Sequence, residues 1–437
     1  MKKNPTISAV GIIAEYNPFH NGHAYHIQQA KTLTGANFAV IVMSGDFVQR
    51  GEPAIFNKYL RTRMALSCGA DLVLELPSVF AVSSAEDFAA CGISLLHHLG
   101  MVDSVCFGSE SGDLSLLHMA ADLLLEEPER YTCLLKECLK QGLPFPKARM
   151  EAVRSCLSES SNFSDIFSGT PSDGFQNQLE ESLSTPNNIL GIEYLKALSR
   201  FHSPMRPVTI PRKGQGYHST DLTAPMASAS AIRTAYRQAI STDTIPDDLI
   251  RSHVPEEIFS LYQHSRPLFP EHFSSLLNYA LMNQLQISSE SLADFMDWNP
   301  EMASRISTAL LSWGTWEERA FQLKTKNITY TRASRALLHL LLHHKKENIQ
   351  EFRQLGYAPY ARILGFRKEA APLLTALKAH SQIPVITKTA DASLILSPEA
   401  YQMFSCDLYS SHLYQSIYYQ QYGERLKNEY TQPIGIL

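Results

Sequence analysis

Long apolar runs are missing from this chain of 437 residues. None approaches the roughly 20 apolar residues that a membrane-spanning helix needs. The opening MKKNPTISAVGIIAEYNPFH holds one short apolar run, broken at Glu15, Asn17 and Pro18, which fits neither a signal peptide nor an anchor. Charge of one sign is also scarce. A formal net charge of −5, with 19% charged and 44% hydrophobic residues, describes a globular protein and excludes a surface that coats nucleic acid uniformly. Cysteines are few: Cys68, Cys91, Cys106, Cys133, Cys138, Cys156 and Cys406 form no C-x-x-C pair and show no zinc-like spacing. They read as buried thiols of a reducing compartment, so the expected location is the cytoplasm. No internal repeat of fixed period is present.

What is there is alternation. Short β-branched runs (ISAVGIIAEY, ANFAVIVMS, ADLVLELP, SVCFGSE) take turns with amphipathic stretches (a helix from about Gly22, KYLRTRMALSCG, and Ser84 to Leu99). Strands of nearly continuous hydrophobicity separated by helices predict a parallel sheet covered on both faces, in a Rossmann-like, doubly wound α/β domain. Ligands of such sheets bind beyond the carboxyl ends of the strands. The polar strand ends EYNPFHNGH, SGDFVQRGEP, ELPSVFA and FGSESGD are therefore expected around one cleft. The Ser-rich stretch from Ser155 to Gly174 predicts a mobile loop inserted in this domain, because NNILGIEYLKAL, MRPVTI and SASAIRTAY resume the alternation after it. After about Arg237 the pattern becomes successive amphipathic helices such as EHFSSLLNYALMNQL and RASRALLHLLLHH, with IPVIT as a possible strand. Residues 1–237 are thus expected to form a nucleotide-binding domain and 238–437 a mostly helical region.

His20-Asn21-Gly22-His23 follows the first predicted strand and opens a predicted helix. Unpaired backbone N–H groups and the helix dipole favour an anion there, and two imidazoles add directed donors. In nucleotidyl transfer such donors stabilise charge building on phosphate oxygens, and no nucleophilic side chain is needed. Taken alone, the pair could equally be two helix-start residues that cap backbone. Asp46 and Arg50 could orient an acid or a ribose, or simply stabilise their glycine-flanked turn. Lys58 and Arg61 are candidate phosphate or RNA contacts, or a solvated helix face. The pairs His97-His98 and His343-His344 lack i, i+4 ligand spacing and read as helix-surface residues.

The run GIIAEYNPFHNGHAYH, followed in order by VMSGDFVQRGEP, LVLELP, FGSESGD, TPNNILGIEYL, SASAIR, KTKNITYTR and APYARILGF, resembles the bacterial tRNA(Met) cytidine acetate ligase family, within the H-x-G-H nucleotidyltransferase superfamily. The resemblance covers nearly the whole chain. It implies that acetate and ATP form acetyl-adenylate and that acetyl passes to the exocyclic amine of the wobble cytidine of elongator methionine tRNA. It also implies that ATP lies along Ile13, Ala14, Glu15, Tyr16, Asn17, Pro18, Phe19, His20, Asn21, Gly22, His23, Ala24, Tyr25 and His26, with Gly108, Asn187 and Arg212 as further contacts. Whether Asn187 or its neighbour Asn188 makes the contact stays open. ASASAIR resembles the superfamily's I-S-S-T-x-x-R signature, which makes Ser230 and Arg233 catalytic partners of His20 and His23. Ser228 reads as the helix cap. Magnesium is expected with ATP, and no residue is assigned to a metal.

Between Gln322 and Lys368, ten Lys or Arg stand against two acids, a net +8 in a chain whose total is −5. Lys324, Lys326, Arg332, Arg335, Arg362 and Lys368, interleaved with Tyr330, Tyr357, Tyr360 and Phe366, therefore form the expected RNA-binding surface, cations for phosphates and rings for unstacked bases. The main rival is a small-molecule nucleotidyltransferase that adenylylates a phosphorylated cofactor precursor, since the same histidines serve both. A non-catalytic RNA- or nucleotide-binding protein is the third reading, and the retained His20, Gly22, His23, Ser230 and Arg233 speak against it.

Overall fold

The computed structural model describes residues 7–143, 145–158, 185–212, 228–241, 247–288, 290–309 and 312–437. Its strands are β1 (Ala9–Ala14), β2 (Phe38–Ser44), β3 (Phe47–Val48), β4 (Glu52–Pro53), β5 (Leu72–Leu76), β6 (Ser104–Ser109), β7 (Arg206–Pro211), β8 (Ala361–Phe366), β9 (Val385–Ile386) and β10 (Gly435–Ile436). Five of them, in the order β5-β2-β1-β6-β7, form the parallel sheet that the sequence predicts. Ile12 sits beside Ile41 and Val42 beside Leu74, so the apolar runs stack in register through the centre. The chain moves outward from β1 through β2 to β5, then returns to the other side of β1 for β6 and β7. Strand order thus reverses between β1 and β6, and a crevice opens at their carboxyl ends.

Helices α1 (Asn21–Thr34) and α2 (Lys58–Ser67) cover one face with Ile27, Ala30, Met64 and Leu66. Helices α3 (Ala85–His98) and α4 (Pro186–Arg200) cover the other with Phe88, Ile93, Ile192 and Leu195. Helix α5 (Ala229–Ser241) returns to the first face through Ile232 and Tyr236. Of the Ser-rich stretch, residues 155–158 complete the helix Phe145–Ser158 instead of a loop, and 159–174 lie outside the described residues. Thiol burial is only partial, since Cys91, Cys106 and Cys138 are buried while Cys133 is exposed.

Beyond residue 238 the helices appear as expected. A third core around Trp298 and Trp316 joins α6 (Tyr330–Leu341) to the long α7 (Pro398–Tyr422). The chain nevertheless returns to the sheet. β8 lies antiparallel to β5, setting Arg362 beside Glu75, and β9 and β10 pair with β8. IPVIT supplies only the two residues of β9.

The antiparallel pairing of β5 and β8 is pinned by charge. Lys58 Nζ donates to Glu75 Oε1 at 2.8 Å and to Ser411 Oγ at 2.7 Å, and lies 3.1 Å from Glu429 Oε2. Arg362 donates to the other Glu75 oxygen at 2.9 Å and also to Glu429. All four charged residues are at most 3% exposed. Burial opposes the charged forms, yet Lys58 and Arg362 hold the Glu429 carboxyl well below its usual range. Removing one partner of such a buried set strands the others and costs ~3–5 kcal/mol. Arg362→Met is therefore expected to lose about that much stability in chemical unfolding. A loss under ~1 kcal/mol, the scale of an exposed pair, would contradict the buried network.

Candidate active site

The H-x-G-H segment turns directly from β1 into α1. His20 is the N-cap of that helix, and its Nδ1 accepts the Gly22 N–H at 3.0 Å. His23 reaches back, its Nδ1 accepting the His20 N–H at 3.2 Å. This is a capping box written with imidazoles, two orphan donors of the first turn satisfied reciprocally. It explains the glycine, because a Cβ on Gly22 would lie 2.8 Å from His20 Cε1. The rings stack with centroids 3.8 Å apart, and Tyr16 meets His23 edge-on at 4.8 Å.

The capping bonds fix the chemistry of both rings. A neutral imidazole has one donor and one acceptor nitrogen, so with Nδ1 accepting, the proton sits on Nε2. Burial, with Arg212 and Arg233 nearby, pushes His20 down to about 3. Burial and the His20 ring also hold His23 well below the usual histidine value. Near neutral pH the pair therefore offers two Nε2–H donors and no charge.

Both rings line a cavity of about 260 Å³ at the β1/β6 crevice. Of the segment 13–26, Ile13, Ala14, Glu15, Tyr16, Asn17, His20, Gly22, His23, Tyr25 and His26 line it. Pro18, Phe19, Asn21 and Ala24 do not: Phe19 is core, and Asn21 Nδ2 donates to the Ser252 carbonyl at 2.9 Å. Gly108, Asn187, Arg212, Ser228, Ser230 and Arg233 also line it. Arg212 Nη1 donates to Asn187 Oδ1 at 3.1 Å, and the Arg212 stem runs 3.4 Å from where a Gly108 Cβ would sit. Asn187 is thus the cavity-facing residue. Asn188 is buried, its Oδ1 accepting the Glu110 N–H at 2.8 Å. Ser228 Oγ caps α5 by accepting the Ala231 N–H at 3.1 Å. Arg233 Nη1 donates to the Asn17 carbonyl at 2.7 Å and Nη2 to Ser230 Oγ at 3.2 Å, which ties the second signature to the first. Among the described residues, no three His, Cys, Asp or Glu come together as a metal site.

Several expected residues lie elsewhere. Asp46 accepts the Lys58 N–H at 2.8 Å and lines a different cavity, whereas Arg50 faces this one. Lys58 and Arg61 are both fully buried, which excludes a solvated face; Arg61 instead clamps the carbonyls of Phe56, Glu15 and Gly45. Of the expected RNA surface, Arg362 is consumed by its buried network, and Arg335 is bound to Asp297 at 2.7 Å. Lys368 follows the end of β8, which meets the start of β5, so it lies at the sheet edge opposite the crevice. Tyr360 is core, its hydroxyl donating to Asp407 at 2.6 Å. His344 is also buried, 3.1 Å from His339 through their Nδ1 atoms. The sequence reading missed Gln49, Phe88, Phe107, Leu190 and Tyr194 in the wall. Leu190 and Tyr194 stand three and seven residues after Asn187 on α4, one helical face, and that spacing was the available signal.

A strand, a histidine-capped helix and a second helix start closing one cavity define a nucleotidyltransferase of the H-x-G-H class. The model of the family described as HIGH Nucleotidyl Transferase matches residues 7–429. The chain is 37% identical over 436 residues to the tRNA(Met) cytidine acetate ligase of Acetivibrio thermocellus, covering 99% of this chain and 100% of that one. It is 39% identical to the tRNA(Met) cytidine acetate ligase of a Thermoanaerobacter species, covering 94% of this chain and 95% of that one. Crystal structures of Thermotoga maritima TmcAL superpose with TM-scores of 0.87 for the apo form and 0.85 for the form bound with alpha-thio ATP. The identities are 27% and 28%, over 99% and 98% of this chain and 100% of theirs. The chain belongs to the tRNA(Met) cytidine acetate ligase family.

If both Nε2–H donors act on the reacting phosphates, removing one lowers the rate ~10²–10³-fold, as for an oxyanion-hole donor. His23→Ala is expected to do this in ATP–pyrophosphate exchange, and full exchange in that variant would overturn the assignment.

Proposed function

We propose that this protein activates acetate with ATP, releasing pyrophosphate, and transfers the acetyl group to the exocyclic amine of the wobble cytidine of elongator methionine tRNA. The observation that carries the first half is the pair of neutral Nε2–H donors facing the same cavity as Arg212 and Arg233. Two helix starts, α1 and α5, converge on that cavity, which favours anionic phosphates between them. An acetate oxygen attacks the α-phosphorus, Arg50 orients the acid, and the histidines with Arg233 stabilise the departing pyrophosphate. Magnesium accompanying ATP would draw most of its ligands from water and phosphate oxygens.

The tRNA half rests on the names of the relatives and on a basic rim. Gly51, with φ +77°, lies against the backbone of Ser334 and Arg335, and Ser334 Oγ donates to the Gly51 carbonyl at 2.7 Å. The first turns of α6 therefore rest on the hairpin that brings Gln49 and Arg50 to the cavity. Exposed Lys324 and Lys326 and half-buried Arg332 stand at that end of α6, with Phe321 and Tyr330 rings 5.3 Å apart beside them. Cations and aromatic rings suit a single-stranded loop whose base must leave its stack to be modified.

Incubation with ATP, labelled acetate and total tRNA is expected to yield acetylcytidine confined to methionine tRNA. Exchange stimulated by a phosphorylated cofactor precursor and not by acetate would favour the small-molecule reading instead. Each of Lys324→Glu and Arg332→Glu should weaken tRNA binding and flatten its salt dependence by about one unit of slope, while Lys368→Glu should do neither. Equal effects at all three would remove the rim from the account.

A further inference from the structure

Transfer of an acyl group to an amine needs a base, because the attacking nitrogen must lose a proton as its bond to carbon forms. The two stacked histidines do not supply one. Each Nδ1 already accepts a backbone N–H, and each Nε2 carries the remaining proton. Glu15 is the only carboxylate among the described residues that line the cavity. It follows the last residue of β1, at the reversal point of the sheet, and its backbone is pinned by Arg61, whose guanidinium donates to the Glu15 carbonyl at 2.5 Å. Its Oε1 accepts the Gln49 N–H at 2.8 Å, which orients the carboxylate and leaves Oε2 to act on a bound molecule.

The charged groups facing Glu15 are Arg50 and Glu52 from the β3–β4 hairpin, Arg61 from α2 and Arg233 from α5, with Tyr194 of α4 as the titratable neighbour. Burial pushes the carboxyl above its ordinary value, against the pull of the Gln49 N–H, Arg50 and Arg233. A carboxylate made more basic in this way is a better proton acceptor near neutral pH.

We propose that Glu15 is the catalytic base of the second half-reaction, accepting the proton of the exocyclic amine as it attacks the acetyl-adenylate. The proposal rests on the tRNA-acetylation reading above. In this step the bond from the cytidine amine nitrogen to the acetyl carbon forms, and the bond from that carbon to the adenylate phosphate oxygen breaks. AMP leaves with the bonding electron pair, and the amine proton passes to Glu15 Oε2, from which solvent later removes it.

The test supplies chemically prepared acetyl-adenylate and tRNA to the wild-type enzyme and to Glu15→Gln, which keeps an acceptor for the Gln49 N–H. Transfer is expected to fall ~10²-fold or more in the variant, the scale of a lost general base, and to fall further than acetate-dependent ATP–pyrophosphate exchange does. The wild-type transfer rate should fall as acid protonates Glu15, and the variant should lose that limb, since glutamine does not titrate. Parallel loss of both half-reactions, or an unchanged acid limb in the variant, would overturn the base assignment. Exchange without any transfer in the wild type would overturn the tRNA reading and this proposal with it.

Discussion

Two hydrogen bonds from the first turn of one helix set the chemistry of the site. By spending their Nδ1 atoms on the N–H groups of Gly22 and His20, the two histidines satisfy the helix start and present Nε2–H to the cavity. A side chain at position 22 would collide with the His20 ring, so glycine, cap and Nε2–H donor are one constraint seen from three sides. The rest of the crevice is arranged to use these donors. Arg233 reaches across to the Asn17 carbonyl, Arg61 ties Glu15 to Gly45, and Arg212 is steadied by Asn187. Each charged arm is anchored on backbone or amide before any phosphate arrives, which reduces the reorganisation left for the reaction itself.

The N-terminal half was legible because its signals are local. β-branched strands buried on both faces, a histidine cap followed by a helix, and a serine cap before Ser230 and Arg233 each declare themselves within a dozen residues. What could not be read depends on pairing across the chain. ARILGF carries an arginine in its second position and does not read as a central strand, yet Glu75 lies directly beside Arg362 on β5 and makes it one. Lys58 and Arg61 fail as surface residues for the same reason, since Lys58 pairs with Glu75 and Arg61 with the carbonyls of Glu15 and Gly45, in other segments. Charge counted along the sequence therefore overstated the RNA surface. Of six candidate cations, Arg362 and Arg335 neutralise acids within the fold, Lys368 lies at the far end of the sheet, Lys324 and Lys326 remain exposed at the rim, and Arg332 stands there 3.6 Å from Asp297.

This division gives the two halves of the chain one shared task. The antiparallel strand β8, drawn from the helical half, is locked to the nucleotide sheet by buried charge, and α6 rests on the hairpin whose Gln49 and Arg50 line the cavity. In the proposed reading, a loop bound along α6 would be registered against the cleft by rigid contacts rather than by a linker. In the proposed reaction the activated acid and the acceptor base would meet over the end of β1, where Glu15 follows the strand and His20 opens the helix.

The central claim, that His20 and His23 act as neutral Nε2–H donors, is open to direct measurement by nitrogen NMR of labelled imidazoles across pH. Burial disfavours the imidazolium and lowers both values, so the expected spectra show unprotonated Nδ1 and protonated Nε2 for both rings, unchanged from pH 8 down to about pH 5. Titration of either ring near the free histidine value of about 6.5, or a proton found on Nδ1, would contradict the account.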